Sequence, residues 1–381
     1  MYQIGNDFPN KMIFEEGGPC ISLYQKTHRY PPDNHEDMIV YKHLIQQLEK
    51  ALTRKYPDVD AEAIMKPFYE LKEDRAFWEH TPDGIAILAN KATCVIYLLS
   101  GAVENLAVVA DDFRVLPLMA YAQSSARYCL LGLSSGSFSM FEGNQYEMKE
   151  MQISPTIARN IDDVLGKEHP EGFLNHGRYG GSDGVAMFHG HGGRKDAIDK
   201  DLEKFFRYVD KTVLENFAKP MKLPLILVSL EEHQSVFRKL SNNPYLVEEG
   251  IETSYESLDL NQLARLSWEL MAPRSLAKTL ATVERYKIAK ANHTGSDDVE
   301  EVVRAAYEGR VDTIFIEANK SIPGRFDVLS ESMECGSADD FDCGDIIDAI
   351  VKAVMKNNGE VIVLPEEKMP SDTGVAAIFR F

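Results

Sequence analysis

The stretch His189-Gly190-His191-Gly192-Gly193-Arg194-Lys195-Asp196-Ala197 runs directly into Ile198, Leu202, Phe205, Val209, Val213 and Phe217. These apolar residues step by three or four positions, so one face of a helix is apolar and buries against a core. Lys200, Asp201, Glu203 and Lys204 fall elsewhere on its surface. Asp196 sits in the predicted first turn, where a carboxylate meets the helix dipole favourably. Pro220 ends the pattern. Upstream, residues 166–193 break all periodicity and are rich in glycine and histidine, including Asn175-His176-Gly177-Arg178-Tyr179-Gly180-Gly181. A loop this long inside a compact domain is uncommon, and is usually functional or disordered.

Outward from this centre the chain reads as alternating strands and helices. Tyr128–Leu133 and Ser137–Glu142, joined by Ser134-Ser135-Gly136, form a hairpin, with a third strand over Glu147–Ile153. After Pro220 a buried strand, Leu223–Leu230, and a helix, Glu231–Leu240, complete a β-α unit. Toward the N-terminus the expected order is a strand at Cys20–Tyr24, helices at His35–Tyr56 and Ala61–Ala76, and strands at Gly84–Ala89, Thr93–Leu99 and Asn105–Val109. Pro67 kinks the second helix or starts a new turn. Toward the C-terminus a helical region over Leu260–Ala291 is interrupted at Pro273. Helices at Val299–Tyr307 and Asp345–Lys356 alternate with strands at Val311–Ile316, Glu360–Leu364 and Val375–Phe379, a three-layer α/β/α pattern. Gly309 fits a helix C-cap, and the acidic stretch Ala318–Asp342 reads as a surface excursion. The fold class is α/β in three domains: residues 1–112, 113–258 and 259–381.

Composition bounds the function. The chain has 381 residues, 44% hydrophobic and 27% charged, enough apolar material for real cores. With 41 basic and 60 acidic residues it carries −19, which excludes a general nucleic-acid coat. Residues 166–208 are a local exception: seven basic and seven acidic residues balance, with four histidines added. A local patch can dock on RNA, because screening cuts off distant repulsion beyond about 8 Å at physiological salt. Met1–Pro19 lacks the pattern of a signal peptide, and apolar runs fall short of the roughly 20 residues that cross a bilayer. Five scattered cysteines with no C-x-x-C spacing fit a reduced, cytoplasmic protein with buried thiols.

The residues leave several chemistries open. His169, His176, Asp183, His189 and His191 could ligate a metal, but their spacing matches no zinc pattern; no metal and no cofactor is expected. Arg194 and Lys195 before a helix could meet phosphate, although the P-loop spacing is absent. Ser134–Ser137 lacks the nucleophile elbow and reads as a turn. Glu231-Glu232-His233 reads as an exposed first helical turn, and Asp339-Asp340-Phe341-Asp342 as a solvated acidic loop.

The run His189–Ala197, with the helix that carries Arg207-Tyr208-Val209, resembles the middle domain of the archaeo-eukaryotic peptide-chain release factors and Pelota. The hairpin Tyr128–Gly143 resembles the start of that domain. Tyr307–Ile316, Asn358–Pro365 and Gly374–Arg380 resemble the third domain of the same proteins. The bacterial archaeo-eukaryotic release-factor-like families match best, over nearly the whole chain in domain order; residues 1–112 contribute no specific motif. The resemblance implies a ribonuclease-H-like middle domain and a C-terminal domain like that of kink-turn-binding ribosomal proteins. In the release factors a Gly-Gly-Gln tip enters the peptidyl-transferase centre, where the Gln backbone N–H stabilises the transition state and its side chain helps admit water. Gly192 and Gly193 match the glycines, and Arg194 stands in place of Gln. Arg keeps the backbone donor, whose loss costs about 2.7–4 kcal/mol elsewhere, but its charged side chain suits phosphate better than water selection.

The resemblance thus implies catalytic positions at Gly192, Gly193 and Arg194, and RNA contact through Arg178, His189, His191, Arg194 and Lys195. The Asn-Ile-Lys-Ser and Tyr-x-Cys-x-x-x-Phe motifs of stop-codon readers are absent from residues 1–112. The expected function is ribosome rescue or hibernation, with peptidyl-tRNA hydrolysis left open. Expected partners are the ribosome, through rRNA and peptidyl-tRNA, and a translational GTPase, with no membrane. The rival readings are a metal-dependent hydrolase built on the histidines and a protein-binding module with a vestigial loop.

Overall fold

The computed structural model describes residues 2–5, 8–15, 17–124, 127–166, 191–327, 332–335 and 344–381. The architecture is mixed α/β, in two compact units: residues 1–124 with 277–381, and residues 125–276.

In the first unit, strands β1 (Gln3–Ile4), β2 (Cys20–Lys26), β3 (Gly84–Ala89), β4 (Cys94–Leu99) and β5 (Leu106–Ala110) form one sheet in the order β1-β4-β3-β2-β5. Helices α1 (Asn34–Lys55), α2 (Ala61–Glu73) and α3 (Arg75–Glu79) connect β2 to β3. Successive strand residues point to opposite faces, and both faces are covered. Ile21, Leu23, Ile85, Ile87 and Ile96 pack on Tyr41, Leu44, Leu48, Phe68 and Leu71 of α1 and α2. Tyr24, Ala86, Leu88, Val95 and Tyr97 face the other way. Double coverage is why these strands read as continuous apolar runs. Pro67 lies inside α2, which ends at Glu73. Helix α4 (Leu116–Ser124) follows the last strand of this sheet.

The second unit is built on β6 (Tyr128–Leu133), β7 (Phe138–Gly143), β8 (Met148–Glu150), β9 (Leu225–Ser229) and β10 (Ile251–Glu252), in the order β10-β9-β6-β7-β8. Strands β6 and β9 are parallel; β6, β7 and β8 form an antiparallel meander. Short α5 (Ile161–Leu165) precedes the long α6 (His191–Val213), which continues through one π-helical turn into α7 (Lys219–Met221); α8 (Glu231–Leu240) follows β9. Leu131, Met140 and Leu227 face α6 and α8, while Leu130, Ile226 and Val228 meet Leu263 and Met271 of α9 (Leu260–Ala291).

Helix α9 is continuous through Pro273, contrary to the expected interruption. Pro273 and Glu269 are both exposed, so the carbonyl that loses its amide partner can turn to water. The first unit then resumes with β11 (Gly295–Ser296), α10 (Val299–Tyr307), β12 (Val311–Glu317), β13 (Gly324–Asp327), β14 (Ser332–Cys335), α11 (Ile346–Lys356), β15 (Glu360–Leu364) and β16 (Val375–Phe379). The sheet β11-β16-β12-β15 carries α10 and α11 on one face and Val283, Tyr286 and Ala289 of α9 on the other. Gly309, just beyond α10, has φ +73°, the left-handed conformation expected after a helix end. Within the predicted acidic excursion, β13 and β14 pair as a hairpin.

The core on the α10–α11 side of this sheet is continuous with one face of the N-terminal sheet. An ion cluster at its edge joins the two. Arg114 contacts Asp345 and, at 3.0 Å, Asp348. Asp348 Oδ1 accepts the backbone N–H groups of Val115 (2.8 Å) and Leu116 (3.1 Å), which caps α4 from α11.

Candidate functional site

The candidate site is the second unit around α6. Phe205, Phe206, Val209 and Val213 are fully buried, so the predicted apolar face is the one that anchors the helix. Asp210 is buried too, and its carboxylate accepts Ser241 Oγ (2.5 Å) and the Asn242 N–H (3.3 Å), tying α6 to the end of α8. The opposite face is open: Lys200, Glu203, Lys204, Arg207 and Lys211 are all exposed.

The helix begins at His191, five residues before the Asp196 placed in its first turn by the sequence. His191, Gly192, Gly193, Arg194 and Lys195 are therefore helical in backbone. The first amides of an α-helix have no intrahelical acceptor, so the opening turn presents N–H groups that suit an anion. Arg178 and His189 lie outside the described residues, as do His169, His176 and the acidic run Asp339–Asp342. Among the described residues, no three His, Cys, Asp or Glu side chains gather to hold a metal.

The turn between β6 and β7 follows from local sequence. Ser134 Oγ accepts the N–H groups of Gly136 (3.3 Å) and Ser137 (3.0 Å), so the serine cluster is a turn, as its composition implied. Ser137 Oγ lies 3.0 Å from Tyr255 Oη and donates to Glu256 Oε1 at 3.2 Å. The Tyr255 ring lies over Gly132, where an added Cβ would come within 2.5 Å of it, so β6 needs glycine there. Burial pushes the Tyr255 hydroxyl pKa up.

His233 departs from the sequence reading. Glu231 and Glu232 are exposed in the first turn of α8, but the His233 side chain is only 12% exposed. Its ring meets Phe206 edge to face at 5.8 Å. Burial lowers its pKa, opposed by Glu232 3.8 Å away. The imidazole therefore packs neutral against the helix that carries the glycines. The step from Glu232 to His233 gives no hint of this, because the ring's partner lies on a different element.

Comparison with known proteins gives these features a family. Residues 127–310 match the family described as bacterial archaeo-eukaryotic release factor family 3. The match spans the hairpin, the glycine-rich run, α6 and the following β-α elements, so residues 127–310 are release-factor-like, of the bacterial archaeo-eukaryotic kind. No curated protein matches it. Among solved structures it is similar to the archaeal translation termination factor aRF1 (13% identity, 97% of this chain and 95% of that chain, TM-score 0.27). It is also similar to S. cerevisiae Dom34, a translation termination-like factor involved in RNA quality control (13%, 76% and 74%, TM-score 0.39). A third is archaeal Pelota in a ribosome-bound model with ABCE1 (16%, 78% and 72%, TM-score 0.38). With identities this low and TM-scores below 0.5, none of these likenesses bears on activity.

Proposed function

We propose that this protein binds the ribosome and acts in rescue or hibernation, with the glycine-rich segment before α6 reaching RNA. The family match over residues 127–310 carries this reading, because it encloses Gly192-Gly193-Arg194 at the opening of the helix. The proposal includes a ribonuclease-H-like middle domain and a C-terminal domain of the kink-turn-binding kind, within a three-domain organisation of residues 1–112, 113–258 and 259–381. Gly192 and Gly193 allow close backbone approach. Arg194 and Lys195 contact phosphate, with Arg178, His189 and His191 as further RNA contacts. Arg194 retains the backbone donor of the release-factor tip while replacing its water-admitting side chain, which favours occupation of the site over peptidyl-tRNA hydrolysis. The expected setting is the cytoplasm, with rRNA, peptidyl-tRNA and a delivering GTPase as partners.

Co-sedimentation with vacant and stalled ribosomes tests the association; a protein left in the supernatant at low salt in both cases refutes it. Peptide release from ribosome-bound peptidyl-tRNA tests the role of Arg194. The Arg194→Gln variant is expected to release peptide where the natural protein does not; equal release by both overturns the assignment of Arg194 to binding.

A further inference from the structure

The acidity of this chain is unevenly distributed. Residues 125–276 hold 17 basic and 22 acidic residues, net −5, so −14 resides in the other unit. Within the less acidic unit, Lys200, Lys204, Arg207 and Lys211 follow one another along α6, and all four are exposed. At 100° per residue they fall within an arc of about 60°, and at 1.5 Å per residue they span roughly 16 Å in steps of about 6, 4.5 and 6 Å.

Their pairing is the second observation. Lys204 bonds Asp201 at 2.8 Å, one turn away and off the stripe. Among the described residues, no carboxylate pairs with Lys200, Arg207 or Lys211. Glu203 is exposed on the flank, one turn from both Lys200 and Arg207, and bonds neither. Glu215, one turn beyond Lys211, is taken by Lys219 at 2.5 Å. The apolar side of α6 faces its own core, so the cations are not needed to hold the helix in place. The same seven-residue step that links Arg207 to Lys200 reaches Gly193 two turns earlier, which puts the stripe and Gly193 on one line of the helix.

We propose that Lys200, Lys204, Arg207 and Lys211 form a rail that binds an RNA backbone along α6 and so aligns Gly192-Gly193 with the strand it follows. A polyanion with charges every few ångströms matches a straight row of four cations, three of which have no carboxylate partner among the described residues; a single small anion would use one or two of them. Arg and Lys in a row contact phosphates and fix register without reading sequence. The rail deepens the ribosome reading above and rests on it only for the source of the RNA.

The test uses the full-length protein and two probes, purified ribosomes and a 20-base-pair RNA hairpin, across a salt titration. The rail variant replaces Lys200, Lys204, Arg207 and Lys211 with Gln, which keeps helix propensity. A control variant replaces the exposed Lys149, Lys222, Lys239 and Arg265 with Gln and changes net charge equally. Circular dichroism and the melting temperature confirm that both fold. Four lost phosphate contacts lower the slope of log K against log salt by about 3, and affinity near 0.1 M salt by about 10²–10³-fold. That loss on both probes, with the control near wild type, supports the rail. Wild-type affinity and slope in the rail variant on ribosomes overturn the rail and leave the ribosome reading standing. Rail-dependent binding of the hairpin with no binding of ribosomes keeps the rail and overturns the ribosome reading. Rail-dependent binding of ribosomes with no binding of the hairpin overturns a bare RNA backbone as the ligand in favour of an acidic protein surface. Failure of the natural protein to bind either probe overturns both.

Discussion

Replacing Arg114 with Ala strands two carboxylates inside the first unit. The Asp345 and Asp348 side chains are 2% and 6% exposed, and Arg114 is their shared cation. Removing one partner of a buried pair costs about 3–5 kcal/mol, because the remaining charge is left uncompensated. Here the lower end applies. Asp348 keeps the amides of Val115 and Leu116, and Asp345 keeps Ser321 Oγ at 2.6 Å and the Ile347 N–H at 2.8 Å. We expect a loss of about 3 kcal/mol at pH 7.5. Burial holds the Asp348 pKa above its ordinary value, Arg114 opposes that shift, and Asp345 adds to it. A carboxyl whose folded pKa is raised binds its proton more readily when folded, so its contribution is full at low pH and lost as pH rises through the folded pKa. Without Arg114 that pKa climbs further, so the deficit should shrink to less than half at pH 5. Urea unfolding followed by Trp78 fluorescence in a Trp268→Phe background reports the first unit alone, since Trp78 is buried there against the Leu71 carbonyl. Adding Asp348→Asn should recover stability, because the amide oxygen still accepts both backbone donors. A deficit under about 1 kcal/mol, or one equal at both pH values, refutes this account.

In the second unit, Gly132→Ala forces a methyl against the Tyr255 ring and should cost about 1–3 kcal/mol, read by Trp268 fluorescence during unfolding; an unchanged midpoint contradicts the close approach. His233 predicts a different pH response. Its folded pKa is depressed below 6.5 by burial, so the stability of this unit is full above that value and falls as pH drops through the folded pKa. His233→Phe should flatten the profile between pH 7 and pH 5, and a proton NMR titration placing the His233 pKa at or above 6.5 excludes the buried neutral ring.

Much of the fold was legible because the two faces of each element have different jobs. The period of α6 identified its buried side, and the apolar runs at Gly84–Ala89 and Thr93–Leu99 marked strands, which the structure covers on both faces. Pro273 misled, because an exposed helix can lose one hydrogen bond to water without breaking. The pairing of Arg114 with Asp345 and Asp348 left no local signal: Asp345 looks like a helix cap, which it also is, and its cation lies far away in sequence. The turn role of Ser134–Ser137 was readable from composition, but the Tyr255 that completes it was not. The cationic row on α6 was visible in principle at spacings of four, three and four. It reads as ordinary helix surface until ion pairing and exposure are known.

The apolar core shared between the N-terminal sheet and α10, α11 and β16 has a consequence for synthesis. Tyr24, Leu88 and Val95 emerge from the ribosome roughly 280–350 residues before Val375 and Ala377, an interval of about 14–70 s at ordinary translation rates. During that time one face of the nascent sheet has no permanent cover. Messages cut short before β16 therefore yield sticky products for chaperones and proteases, and an isolated fragment of residues 1–124 should come out of an expression host as inclusion bodies.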